Sequence, residues 1–268
     1  MERLILLEDQ QILEGKTYPK SNGLFLLENG WLVALVVSLQ MLIIAKIGPK
    51  LMAHRKAFDL RPYMLVYNGL NFGTFGCGIV VFSYALNFCR DAWSCDAKFH
   101  GLTESAIIYS AYLYLMMKVM ENMSYIIMVL RKKPGQTPLA QALYNNSTLW
   151  LIFLGLKYHP LKMFMLAPYA EAFRITFKYA YYTLKTPTPT NKYNWMRKML
   201  IAIILLHDML NIFHMSYLYK NNCNASRILM VGLCIVSGLE ALYMVYQILT
   251  GKLKLSVDMP KDKVVKCN

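Results

Sequence analysis

Residues 118–148 read KVMENMSYIIMVLRKKPGQTPLAQALYNNST, which combines two apolar runs with a basic turn between them. An apolar run that begins with Lys118 and Glu121 ends at the basic loop LRKKPG, and a second run follows it. Proline interrupts helices and Pro-Gly favours turns, so the stretch predicts two helices joined by a short loop. Lys118 and Glu121 are three residues apart, which allows them to pair on one helical face.

The rest of the chain repeats such apolar runs. Of its 268 residues 56% are hydrophobic and 16% are charged, and each run is about long enough to cross a hydrocarbon core of about 30 Å. Since backbone groups in lipid must pair within a helix, we predict an all-α integral membrane protein. Seven transmembrane helices are predicted, at residues 27–46, 65–88, 105–130, 138–156, 161–184, 199–219 and 228–250.

The charge distribution predicts the topology. A net charge of +14 could indicate a nucleic-acid partner, but most Lys and Arg residues lie in the tail and in the loops after spans one, three and five. The positive-inside rule places those segments in the cytosol, and we predict no nucleic-acid partner. The predicted organisation is a lumenal N-terminus at 1–26, one membrane domain at 27–250 and a cytosolic tail at 251–268.

Short motifs occur in a fixed order along most of the chain. They are RP at 61–62, VYN at 66–68, K-x-x-E at 118–121, LRKK at 130–133, ST at 147–148, GLKY at 155–158 and YAYY at 179–182. Together they resemble the ELO family, the very-long-chain fatty acid elongases. The resemblance implies six helices in a barrel around a lipid tunnel, in the endoplasmic-reticulum membrane. It also implies membrane lipid and long-chain acyl-CoA as partners, oligomers with itself or other elongases, and no cofactor beyond the substrates acyl-CoA and malonyl-CoA.

The family's histidine box, H-V-Y-H-H-S-T, has no histidine here. Its three histidine positions fall on Ala142, Asn145 and Asn146, and that of a fifth-span motif falls on Ile175. A histidine suits the family's condensation of acyl-CoA with malonyl-CoA to 3-oxoacyl-CoA, because it can act as nucleophile or base near neutral pH. Asparagine forms hydrogen bonds but cannot carry that proton. We therefore interpret the chain as a divergent member without the standard mechanism.

Charged and histidine residues inside the spans are the remaining catalytic candidates, since such residues often mark functional sites. They are Lys118, Glu121, His207 and His214. For the two histidines we weigh three roles, in the order packing or hydrogen bonding, substitute catalysis, and metal binding with Asp208. Seven residues of separation suit a shared metal poorly, so no metal site is predicted.

A second charged set lies on one face of the fifth span. Glu171, Arg174 and Lys178 are spaced by three and four residues. A buried network that sets helix packing is the preferred interpretation of this face. Lys178 approaches the cytosolic side and is also a candidate CoA-phosphate ligand.

The remaining predictions concern the two membrane surfaces. Arg131, Lys132 and Lys133 form the basic loop after the third span, and we assign them with Lys178 to CoA binding. Cys95 and Cys223 lie in loops that the topology places in the lumen, where disulfides persist. Because the resembled family also has cysteines at similar places, we predict a disulfide between them.

Two functions remain open at this point. The chain is either a divergent elongase with a rebuilt site, or a pseudoenzyme that binds acyl-CoA or regulates active elongases. From the sequence alone we expect little or no condensation with malonyl-CoA. A receptor or transporter is favoured only by the number of spans, and fold does not fix function.

Overall fold

Helices form the regular structure throughout the described part of this computed structural model, and the predicted all-α fold is confirmed. The described residues are 23–85, 88, 90–93, 95, 104–132, 138–158, 162–186, 193–221, 223 and 226–250. Most of the predicted N-terminal segment 1–26, the tail 251–268 and Lys133 lie outside them. The main helices are α1 Gly30–Leu42, α2 Arg61–Ala85, α3 Glu104–Glu121, α4 Met123–Leu130, α5 Pro138–Tyr158, α6 Leu166–Lys185, α7 Asn194–Lys220 and α8 Arg227–Leu249.

Among the described residues, five helical segments are long and apolar enough to cross a membrane. They are Gly30–Met52, Arg61–Tyr84, Ile108–Leu130, Trp195–Lys220 and Arg227–Leu249. Helices α5 and α6 form near the predicted fourth and fifth spans, but α6 contains four charged residues and α5 has adjacent asparagines. The protein is therefore a multi-pass membrane protein with five clear candidate spans, and the count of seven stays a prediction.

Six helices pack side by side in a closed ring. Helix α2 packs along α6, α6 against α7, and α7 against α8. Helix α8 contacts α5, which contacts α3, and α3 returns to α2. Helix α1 lies outside this ring and contacts α5. The closed order of neighbours fits the six-helix barrel expected from the resemblance.

The predicted third span is interrupted at Asn122, between α3 and α4. Side chains from neighbouring helices bind carbonyl groups at this interruption, although the Asn122 carbonyl also accepts from the Tyr125 backbone N–H over 3.2 Å. Gln40 Nε2 donates to the Asn122 carbonyl over 2.9 Å. The Tyr67 hydroxyl lies 3.0 Å and 3.1 Å from the carbonyl oxygens of Met120 and Glu121. Because these partners are supplied, the side chain of Asn122 can turn into the barrel rather than to lipid.

One end of the barrel is fastened by a cross-link. Cys95 and Cys223, the pair predicted from the sequence, form a disulfide with their Cα atoms 4.9 Å apart. Beside it, the His214 ring packs edge-on against Trp93 with centroids 4.8 Å apart. The disulfide and this ring contact attach Cys95 and the short helical turn Asp91–Trp93 to Cys223 and to α7.

Candidate functional site

Lys118 is the centre of a buried polar network inside the barrel. Its ammonium group is fully buried and lies 2.9 Å from Glu121 Oε2 and 3.0 Å from Glu171 Oε1. It also donates a hydrogen bond to Asn145 Oδ1. A buried charge requires such partners, because leaving it unpaired in lipid or protein is costly. Lys118 therefore joins α3, α5 and α6 at one point.

The charged face of α6 completes this arrangement. Arg174 donates from Nε to Glu171 Oε2 over 2.9 Å, and Lys178 pairs with the other oxygen of Glu121. Helical spacing of three and four residues places these groups on one side of α6. The sequence predicted this face and the pair on α3 separately, and the structure brings them into one network.

Helices α7 and α8 supply the opposite wall of the network. His207 Nε2 lies 3.1 Å from Glu171 Oε2, and its Nδ1 lies 3.0 Å from Asp208 Oδ1. Arg174 reaches Glu240 Oε1 on α8 over 2.9 Å. Sequence reasoning missed Glu240, although it is a carboxylate inside an apolar span, the same signal that identified Lys118.

The positions matched to the histidine box lie inside the protein. Asn145 Nδ2 donates to Asn122 Oδ1 over 2.7 Å, and Asn122 Nδ2 donates to Asn146 Oδ1 over 2.8 Å. The remaining donor, Asn146 Nδ2, is buried and has no hydrogen-bond partner among the described residues. Ala142 and Ile175 are fully buried among apolar side chains. The site thus offers amide donors and acceptors where the resembled motif has imidazoles.

The other predicted site residues lie elsewhere. His214 Nε2 contacts the Ala92 carbonyl at 3.0 Å beside the disulfide, so His207 and His214 belong to different regions. Arg131 is half-buried and contacts Met64 Sδ at 2.6 Å, and burial lowers the pKa of its guanidinium, which nevertheless stays charged. Lys132 is exposed and donates to the Ala53 carbonyl over 3.2 Å. Lys178 lies in the central network, where it pairs with Glu121, and not beside Arg131 and Lys132.

An apolar pocket adjoins the network. Tyr114 lies in its wall one helical turn before Lys118, and Pro168 lies three residues before Glu171. The remaining lining residues are Ala111, Leu151, Ile152, Gly155, Leu156, Phe164, Met165, Ala167, Leu229 and Leu233. A largely apolar lining next to buried charges suits a ligand with a hydrocarbon part and a polar reacting group.

Comparison with known proteins assigns the family. The family model for ELO, described as the GNS1/SUR4 family, matches residues 25–249. Very long chain fatty acid elongase 1 of Homo sapiens is 27% identical over 213 residues, covering 77% of this chain and 75% of that protein. Very long chain fatty acid elongase 7 of Drosophila melanogaster is 26% identical over 228 residues, covering 80% and 67%. Because the family model extends over nearly all of the described helices, this chain belongs to the ELO, or GNS1/SUR4, family.

Proposed function

We propose that this chain condenses a long-chain acyl-CoA with malonyl-CoA in the endoplasmic-reticulum membrane, without an acyl-histidine intermediate. The observation that carries the proposal is the buried network of Lys118, Glu171 and His207, which contacts Asn145 at a box position. The relatives' names, which describe fatty acid elongases, support the reaction class.

The substrate has a place in this arrangement. Its acyl chain fits the apolar pocket beyond Tyr114, and its thioester then lies near Lys118 and Asn145. Arg131 and Lys132 lie at the end of α4 and offer positive charge to the CoA phosphates. If the CoA end lies in the cytosol with Arg131 and Lys132, then the disulfide and the N-terminus lie in the lumen and the tail lies in the cytosol. Protease protection of tagged protein in sealed microsomes would test this topology.

The amides at the box positions define the chemistry that is available. Loss of carbon dioxide from malonyl-CoA gives a carbanion, which attacks the acyl thioester carbon directly. Negative charge then develops on the thioester oxygen, and Asn146 Nδ2 is a buried donor free to stabilise it. Removing one such donor typically lowers kcat by about 10²–10³. No step in this sequence requires a histidine nucleophile.

The test is an assay of purified protein in lipid nanodiscs with a long-chain acyl-CoA and labelled malonyl-CoA. We expect labelled 3-oxoacyl-CoA when both substrates are present, and no release of CoA from acyl-CoA alone. Asn146→Ala should lower the rate by about 10²-fold or more, while Ser147→Ala, which only removes a bond to the Leu143 carbonyl, should not. A stoichiometric burst of CoA from acyl-CoA alone would contradict the direct reaction.

A second candidate is a non-catalytic protein that binds acyl-CoA and regulates active elongases in an oligomer. It is favoured by the side chains at the box positions, Ala142, Asn145 and Asn146, none of which can exchange a proton near neutral pH. Binding of a fluorescent acyl-CoA with no labelled product would select this function. Co-purification with a catalytically competent elongase would then identify the regulated partner.

A further inference from the structure

The ring of His207 lies between two carboxylates. Asp208 Oδ1 is 3.0 Å from Nδ1, and Glu171 Oε2 is 3.1 Å from Nε2. A neutral imidazole carries one N–H, so either tautomer directs a lone pair at one carboxylate. Asn211 Nδ2 also reaches Nε2 at 3.1 Å, but an amide donor there does not relieve the contact between Nε2 and Glu171. A neutral ring can donate from Nδ1 to Asp208 and accept at Nε2 from Asn211, but it then directs the Nε2 lone pair at Glu171 Oε2. One more proton on the His207–Asp208 pair removes this repulsion.

The charges of the network also favour one added proton. Among the described residues the charged groups and the imidazole that face one another are Lys118 and Glu121 on α3, Glu171, Arg174 and Lys178 on α6, His207 and Asp208 on α7, and Glu240 on α8. The uncharged Tyr144 ring of α5 packs against Arg174. With every acid ionised and His207 neutral, four carboxylates face three cations. One negative charge is then uncompensated in a buried membrane site, where a single unpaired ion is strongly unfavourable. One added positive charge balances the network.

We propose that one proton is held in the contact between His207 and Asp208, and that this proton is transferred to the CoA thiolate during condensation. Only the transfer of the proton to the CoA thiolate rests on the proposed function. A proton between Nδ1 and Oδ1 neutralises the network whether it lies on the imidazole or on the carboxyl. It also lets Nε2–H donate to Glu171 Oε2 in place of the repulsive contact.

A metal ion fits the same place less well. His207, Asp208 and Glu240 bring potential ligand atoms within 4.8 Å of one another. However, His207 and Asp208 are consecutive on α7, their contact has the length of a direct hydrogen bond, and Arg174 already binds Glu240 Oε1. A divalent ion would also exceed the single missing charge.

The transfer balances the reaction. The malonyl carboxylate leaves as carbon dioxide, its electron pair forms the new carbon–carbon bond, and the thioester electrons leave on the CoA sulfur as thiolate. The thiolate takes the proton from the His207–Asp208 pair. Lys118, which lies beside the thioester, gives the proton to the sulfur and takes one in return from His207 by way of the Glu171 carboxylate, while Asn145 only accepts a hydrogen bond from Lys118. Water then returns one proton to the pair, for which Asp208 Oδ2 is a buried oxygen with no partner in the described structure.

Spectroscopy locates the proton without any need for activity. Protein labelled with ¹⁵N-histidine is measured at pH 7 by solid-state NMR, with His207→Gln used to assign the signal. Infrared spectra of wild type and Asp208→Asn report protonated carboxyl groups. We expect either a doubly protonated His207 or a carboxyl band that Asp208→Asn removes. Ser237→Ala, a buried polar change on α8, should leave the signal in place. A neutral His207 with no such band, or one metal ion per chain by elemental analysis, overturns the inference.

The rate of condensation tests the transfer. Asp208→Asn preserves shape and also balances the charges, so it should fold. We expect wild-type CoA release to change less than about 3-fold from pH 6 to 8, whereas the variant, which must take its proton from solvent, should slow about tenfold per pH unit. Equal loss at every pH would indicate a structural role and refute the transfer. A wild type that lacks condensation but shows the spectroscopic proton refutes the proposed function and the transfer, and leaves the proton site intact.

Discussion

At the scale of the residue, Lys118 supplies the positive charge that two buried carboxylates share. Replacing it with methionine leaves Glu121 and Glu171 facing each other without their shared cation. Removing one partner of a buried ion pair costs about 3–5 kcal/mol, so Lys118→Met should lower the melting temperature markedly. Thermal unfolding in detergent measures this effect. Lys50→Met, an exposed lysine at the end of the first helical segment, is the control and should leave the midpoint almost unchanged.

The two histidines of α7 make a second prediction at this scale. His207 belongs to the central network, whereas His214 lies beside Trp93 and the disulfide. Loss of a proton-transfer group typically lowers a rate by about 10²–10⁴, so we expect His207→Gln to show that loss. His214→Gln should retain condensation within about 3-fold when rates are divided by the folded fraction. Equal losses in the two folded variants would contradict this separation of roles.

At the scale of the element, the disulfide positions the segment before α3. Cys95 and Cys223 are separated by 128 residues, and the cross-link restricts a long loop in the unfolded chain. Removing a native disulfide commonly costs about 2–5 kcal/mol, so the Cys95→Ser/Cys223→Ser variant should unfold at a lower temperature. Reductant should lower the midpoint of the wild type and leave the double variant unaffected. The exposed Cys77 provides the control substitution, since Cys77→Ser keeps the bridge.

At the scale of the whole molecule, the barrel determines the length of chain that it can hold. Gly155 lies in the pocket lining, and a Cβ there would meet Leu229 Cδ1 at 3.8 Å, an ordinary contact. Gly155→Ala should therefore fold and elongate normally. A phenylalanine fills the pocket, so Gly155→Phe should shift the preference between long and short acyl-CoA by about tenfold or more toward the short one. Competition between acyl-CoAs of different length measures this ratio, and an unchanged ratio would exclude the pocket as the acyl site.

The sequence could predict elements and faces because those properties are local. The apolar runs predicted the helices, but the helices extend beyond the runs. Helix α2 begins at Arg61 rather than at residue 65, because backbone hydrogen bonds continue where the side chains become polar. The interruption of the third span at Asn122 was not predicted, because its carbonyl partners, Gln40 and Tyr67, come from α1 and α2. Glu240 was overlooked, although its charge within an apolar helix marked it.

The membrane class, the helical faces and the family motifs follow from the residue order, since hydropathy and periodicity depend on neighbours along the chain. Which charges meet depends instead on how the helices pack. Glu171 and His207 lie on different helices, and the order of packing in the barrel places them 3.1 Å apart while leaving His214 at the disulfide end. The charges that balance in the interior come from α3, α6, α7 and α8, so they can neutralise one another only when these helices are packed together.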